Sequence, residues 1–263
     1  MVTPFFETDR VQLFGGDSLA VLRDLPSHSV DAVITDPPYS SGGMVRGDRA
    51  QSTVQKYVST GSSREDDGFN FTGDNRDQRS FTYWSTLWLS EARRVTRPGG
   101  ILATFTDWRQ LAATTDAVQA GGWVWRGVLP WIKPAARVRV GRFTNQAEYV
   151  VWGSNGPMPL VKHGKAFTGW MQESAPRHRD HITQKPLDVM RHLIGPVTPG
   201  GTVLDPFMGS GTTGCAAILE SRHFIGIEMV PHYQQVARAR IEQALGDYRP
   251  DAEQSALFDG GAT

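Results

Sequence analysis

The sequence predicts an α/β fold whose mostly parallel sheet is covered by helices on both faces. Three observations carry that reading. Short apolar runs alternate with helix-spaced segments along most of the 263 residues, the pattern of a parallel sheet built from strand–helix units. One apolar run, 30–35, stops abruptly at Asp36-Pro37-Pro38-Tyr39, because two prolines cannot continue a ladder. Another, 201–204, passes through a glycine-rich turn into helix-forming residues.

In chain order, residues 11–14 form a strand closed by Gly15-Gly16-Asp17, and a helical stretch follows to Leu25. After the strand 30–35, hydrophobic periodicity fails from Ser40 to Ser80, so a long mobile loop is expected there. Helical spacing returns over 81–96, with Trp84, Leu87, Trp88 and Val95 on one face. Arg97-Pro98-Gly99-Gly100 ends that helix, and 101–106 is the next buried strand. Residues 109–120 fit a helix stopped by Gly121-Gly122. Strands at 123–131 and 148–152 are joined by a basic connector, 133–145. The tryptophans at 84, 88, 123, 125 and 131 fall on these elements and are expected in the core. An irregular stretch, 154–182, precedes a short helix at 186–194, with Pro186 in the first turn, where its missing N–H is harmless. The strand 201–204, helix 212–221, strand 223–227 and helix 231–245 complete the pattern before an acidic tail at 246–263.

Composition excludes several classes. Basic and acidic residues number 27 each, and Cys215 is the only cysteine. An internal disulfide is therefore impossible, and a reducing cytoplasmic location is expected. No apolar run approaches the roughly 18 residues of a membrane span, and the start lacks the pattern of a signal peptide. The zero net charge hides a gradient. Between 133 and 191 there are ten Lys or Arg against four acids, whereas from Glu242 onward five acids face one Arg. Arginines outnumber lysines 22 to 5, and a guanidinium fork suits phosphates and guanine edges. His178 and His181 lack further ligands at suitable spacing, so no metal is expected.

The turn Asp205-Pro206-Phe207-Met208-Gly209-Ser210-Gly211-Thr212-Thr213-Gly214 satisfies G-x-G-x-x-G, and Glu228 follows at the end of the next strand. Such glycines let a ligand approach backbone, and such an acid binds ribose hydroxyls. A plain tight turn, a dinucleotide site and an S-adenosylmethionine (AdoMet) site all stay open to this pattern. Charge favours the last. A carboxylate at Asp205 repels a pyrophosphate but attracts the ammonium of AdoMet.

Asp36-Pro37-Pro38-Tyr39 lies at the C-terminal end of a strand, where ligands of open α/β sheets bind. One carboxylate, one rigid carbonyl and one aromatic face suit a planar group bearing an exocyclic NH₂. Asp36 and the Pro37 carbonyl can accept its two hydrogens while Pro38 stiffens the turn and Tyr39 stacks on the ring, and a plain turn with a surface Tyr stays open to this tetrapeptide alone.

With both turns in one chain, the sequence resembles the DNA amino-methyltransferases that methylate adenine N6 or cytosine N4, in particular their permuted β class. Further blocks occur in that class's order: Gly16-Asp17-Ser18-Leu19, Arg94 to Gly100, Trp131 to Pro134, Glu148 to Gly153, Thr183-Gln184-Lys185-Pro186 and Phe224 to Glu228. The resemblance implies a single Rossmann-like catalytic domain over 1–263, with a seven-stranded sheet containing one antiparallel strand. It implies that Asp205, Pro206, Phe207, Gly209, Ser210, Gly211 and Thr212 line an AdoMet pocket. Glu228 is then expected on the ribose, Asp17 at the adenine end, and Thr183 and Lys185 over the methionine end. Asp36 is expected to be shared between cofactor and target amine. Asp at position 36 favours adenine N6, because cytosine-N4 enzymes of the family more often carry Ser there. An RNA or protein amide substrate, disfavoured because amide enzymes of the superfamily usually carry Asn at that place, and a non-catalytic AdoMet-binding DNA module are the remaining readings. Duplex DNA is the expected partner, with Arg137, Arg139, Arg142, Arg177 and Arg179 on it. A small target-recognition region is expected at 154–182. The target sequence, a restriction partner and a homodimer stay open.

Overall fold

The computed structural model describes residues 2–38, 77–134, 140–141, 143–159, 164–174 and 185–248. The expectations for Tyr39, most of the 40–80 loop, Arg137, Arg139, Arg142, Arg177, Arg179, His178, His181, Thr183 and most of the acidic tail lie outside them.

Among the described residues nine strands join one sheet: β1 (Phe6–Glu7), β2 (Val11–Gly15), β3 (Val30–Thr35), β4 (Thr96–Thr106), β5 (Val124–Ile132), β6 (Ala147–Ser154), β7 (Met171–Gln172), β8 (Thr202–Asp205) and β9 (His223–Glu228). Their order is β1-β2-β9-β8-β3-β4-β6-β5-β7. From β2 to β4 every pairing is parallel, and β6 runs antiparallel to both β4 and β5. Nine strands replace the seven expected. The surplus is β1 and β7, of two residues each at the two edges, too short to carry an alternating pattern. Because β1 is antiparallel to β2, antiparallel strands number two rather than one.

Period-two alternation sorts the strand residues between two cores. Val11, Leu13, Ala32, Ile34, Ala103 and Phe105 face one side. There they meet helices α4 (Leu187–Ile194), α5 (Thr212–Leu219) and α6 (Pro231–Asp247). Phe14, Val33, Leu102, Leu204 and Ile227 face the other. That side is covered by α1 (Ser18–Asp24), α2 (Gln78–Val95) and α3 (Leu111–Ala120). Burial on both faces explains why these strands read as continuous apolar runs. Cys215, on α5, is buried in the first core. Among the described residues no helix is long and apolar enough to cross a membrane.

Three local expectations change. Helix α2 begins at Gln78, not at residue 81, because the Asp77 carboxylate accepts the N–H groups of Arg79 and Ser80 and caps it. Residues 97–100 belong to β4 rather than separating helix from strand. They bulge out of the β3 ladder, whose register passes from Val30↔Thr96 directly to Ala32↔Ile101. Trp88, Trp123 and Trp131 are buried and Trp84 is partly so, but Trp125 is 44% exposed. It lies at the start of β5, whereas the neighbouring β7 covers only Trp131 and Ile132.

Candidate active site

Parallel strands bring their C-terminal tips to one edge. The tip of β2 lies beside that of β9 through the pair Gly15↔Glu228, β9 beside β8 through Asp205↔Gly226, and β3 beside β4 through Thr35↔Thr104. The Gly15-Gly16-Asp17 turn, the glycine turn and Asp36-Pro37-Pro38 therefore share one rim. Two side-chain links lock it. Thr35 Oγ1 donates to Asp205 Oδ1 at 2.6 Å, and Ser18 Oγ donates to the Pro206 carbonyl at 2.5 Å.

The glycine turn is braced from three directions. Asp205 is buried, and its oxygens accept from Thr35, the Phe207 N–H and, at 2.6 Å, Thr213 Oγ1. Burial pushes its carboxyl up to about 6. Its oxygens thus close an internal network, where the sequence reading expected a carboxylate offered to a ligand's ammonium. Glu228 accepts the Gly209 N–H at 3.0 Å and the Val230 N–H at 2.8 Å, and burial raises its carboxyl. From α6, Arg240 Nη1 donates to the Ser210 carbonyl at 2.6 Å, to Ser210 Oγ at 2.9 Å and to Thr212 Oγ1 at 3.3 Å. The Phe207 ring packs 5.4 Å from that of Trp84 and 5.2 Å from that of Trp88.

Gly209 and Gly211 both have left-handed backbone, at φ 50° and 79°, a conformation that glycine adopts without penalty. A Cβ on Gly209 would meet nothing within 4 Å, whereas one on Gly211 would meet the Ala237 Cα at 3.1 Å. One glycine therefore faces open space and the other packs against α6. Asp17 caps α1 by accepting the Ala20 N–H at 3.0 Å and is otherwise exposed.

Across the rim stands a chain of alternating charge. Lys185 Nζ donates to Asp36 Oδ2 at 2.5 Å and lies 3.4 Å from Glu148 Oε2, while Glu148 Oε1 pairs with Lys133. Burial is the largest influence on all three central groups. It prevails for Asp36, whose carboxyl is raised. For Glu148 the Lys185 and Lys133 ammoniums outweigh it and lower the carboxyl, and for Lys185 the two carboxylates outweigh it and raise the ammonium. Asp36 Oδ1 is buried and has no hydrogen-bond partner among the described residues. A buried, unpartnered carboxylate oxygen is costly unless a ligand donor meets it. That oxygen, the open space at Gly209 and the acceptors at Glu228 and Asp17 fit a ligand with an amine, ribose hydroxyls and an adenine.

Lys185 pairs with Asp36, where the sequence reading expected it over the methionine end of a ligand. Sequence reading assigned no role to Ser18, Thr35, Lys133, Glu148, Thr213 or Arg240. Lys133 and Glu148 stand within recognised blocks, but only the antiparallel register of β5 and β6, with Trp131 opposite Glu148, joins them. Among the described residues no group of three or more His, Cys, Asp or Glu could hold a metal ion.

Comparison with known proteins identifies the family and the fold. Residues 30–239 match the family model of N6/N4 DNA methylases. The type II methyltransferase M2.LlaDCHI of Lactococcus lactis subsp. cremoris is 26% identical over 266 residues, spanning 92% of this chain and 93% of that protein. The crystal structure of the M1.HpyAVI–SAM complex aligns with a TM-score of 0.62 at 25% identity, over 88% of this chain and 98% of that one. The cytosine-N4-specific PvuII DNA methyltransferase shares the fold, with a TM-score of 0.66 at 19% identity over 98% of this chain and 93% of that one.

Proposed function

Because the chain belongs to the N6/N4 family of DNA methylases and is an AdoMet-dependent DNA methyltransferase, we propose that it methylates the exocyclic N6 of an adenine extruded from duplex DNA. One observation carries the reading: Asp36 and Pro37, at the tip of β3, lie beside the glycine turn of β8, with Thr35 hydrogen-bonded to Asp205. AdoMet, when bound, supplies an electrophilic methyl group on a sulfonium. Pro206, Phe207, Gly209, Ser210, Gly211 and Thr212 would form its cradle, braced from within by Asp205, with Glu228 on the ribose and Asp17 at the adenine end.

An exocyclic amine is a poor nucleophile because its lone pair is delocalised into the ring. Asp36 Oδ1 and the Pro37 carbonyl accept the two amine hydrogens and draw the nitrogen toward a pyramidal shape. The new N–C bond forms as the methyl–sulfur bond breaks, the electron pair stays on sulfur, and the cationic nitrogen then releases a proton to water. Catalysis is positioning and electrostatics, with Asp36 stabilising the positive charge that arrives on the amine. The base leaves the helix at a cost of a few kcal/mol, which stacking on Tyr39 partly offsets. Arg137, Arg139, Arg142, Arg177 and Arg179 contact the duplex, so affinity falls steeply with added salt.

The choice of adenine rests on Asp at position 36. Incubation with labelled AdoMet and unmodified DNA, followed by digestion to nucleosides, tests it. N6-methyladenine is expected, N4-methylcytosine would transfer the reading to the other amine, and no labelled nucleoside would refute it.

A further inference from the structure

Lys185 precedes α4, and its side chain is 6% exposed. Its ammonium lies between Asp36 Oδ2 and Glu148 Oε2, 5.0 Å from the centre of the Phe105 ring. Glu148 reaches this edge because β6 runs backwards. The start of an antiparallel strand lies beside the ends of β4 and β5, in the pairs Thr106↔Tyr149 and Trp131↔Glu148. Lys133, just beyond β5, holds the other Glu148 oxygen. Lys185 is a flexible point charge on a four-carbon stem, and Glu148 restricts where that stem sets its charge. The result at Asp36 is asymmetric: Oδ2 is engaged, and Oδ1 has no partner among the described residues.

We infer that Glu148 is a positioning residue for methyl transfer, holding Lys185 where it fixes Asp36 by one oxygen and leaves the other for the target amine. The inference rests on the methyltransferase reading of Asp36. The charged groups around that carboxylate are Lys185, Glu148 and Lys133 on the β6 side and Asp205 on β8. Lys185 favours its ionised form, whereas Glu148 opposes it.

Glu148→Gln tests the assignment. Loosening a reacting group by a fraction of an ångström costs on the order of 10- to 100-fold in kcat. The KM for AdoMet should stay within about twofold, because binding common to ground and transition states is untouched. The acid limb of the kcat–pH profile should move to higher pH, because the loosened Lys185 ammonium acts on Asp36 more strongly than the lost Glu148 charge does. Glu148→Asp, which keeps the charge but draws it back by one methylene, should fall between wild type and Glu148→Gln, and it serves if Glu148→Gln does not fold. In the cofactor-free protein, acetylation of Lys185 by an amine reagent, read by peptide mass mapping against the exposed Lys165, should accelerate severalfold in Glu148→Gln. A lowered Tm with the acid limb and Lys185 labelling both unmoved would overturn the inference. Wild type that transfers no methyl group to DNA would overturn the functional reading instead, while the labelling still judges the Glu148–Lys185 contact.

Discussion

Thr35 and Asp205 are 170 positions apart in the chain, yet the hydroxyl of one donates to the carboxylate of the other at 2.6 Å. That bond ties the tip of β3 to the tip of β8. Both residues are buried, so the bond fixes the two turns' relative position independently of solvent.

The pH dependence of stability reports on Asp205. Its carboxyl is raised from 3.8 to about 6 by burial, so between these values the folded protein holds more protons than the unfolded chain. Its contribution to stability therefore falls as pH rises through that window and is constant above it. Asp205→Asn removes this dependence. The variant's Tm minus that of wild type should rise between pH 4 and about 6 and level off near pH 7. A pH-independent difference would mean that Asp205 titrates alike in both states.

Two glycines of one turn should respond differently to alanine. Gly209→Ala meets open space, so it should cost only about 1–2 kcal/mol for its left-handed backbone while weakening AdoMet. Gly211→Ala adds a clash with the Ala237 backbone on α6, and should cost roughly 2–4 kcal/mol in all. Thermal melts and calorimetric AdoMet titrations separate the two, and equal losses of Tm would contradict the packing described.

Arg240 braces the same turn from outside. Arg240→Ala should weaken AdoMet roughly tenfold, the worth of a charge-assisted hydrogen bond, while kcat at saturating AdoMet changes by less than about threefold. A fall in kcat with unchanged affinity would give Arg240 a different role.

Asp36→Ala should abolish turnover in a labelled-methyl assay. Tyr39→Phe should retain much of it and Tyr39→Ala little, because the ring matters more than the hydroxyl. Equal losses in the two tyrosine variants would remove the stacking role.

The sequence makes legible whatever is long and buried on both sides. Strands 30–35 and 223–227 are legible nearly to the residue, the first because Asp36-Pro37-Pro38 stops it and the second because it is a short apolar run between two helical stretches. The two-residue β1 and β7 carry no period, so nothing announced them. Arg97-Pro98-Gly99-Gly100 looked like a terminator, and only the ladder with β3 reveals it as a bulge. At the site, the turn residues stood out because glycine and proline restrict backbone locally. Glu148, Lys133 and Arg240 did not, since their roles depend on register and helix packing, which no short window encodes.

The strand order carries a lesson for biosynthesis. β8 and β9, the last of the described strands in chain order, insert between β2 and β3, two of the earliest. A nascent chain that stops before Glu228 thus holds Asp36 without the glycine turn's full support. Fragments that end before Glu228 should therefore be devoid of methylating capacity.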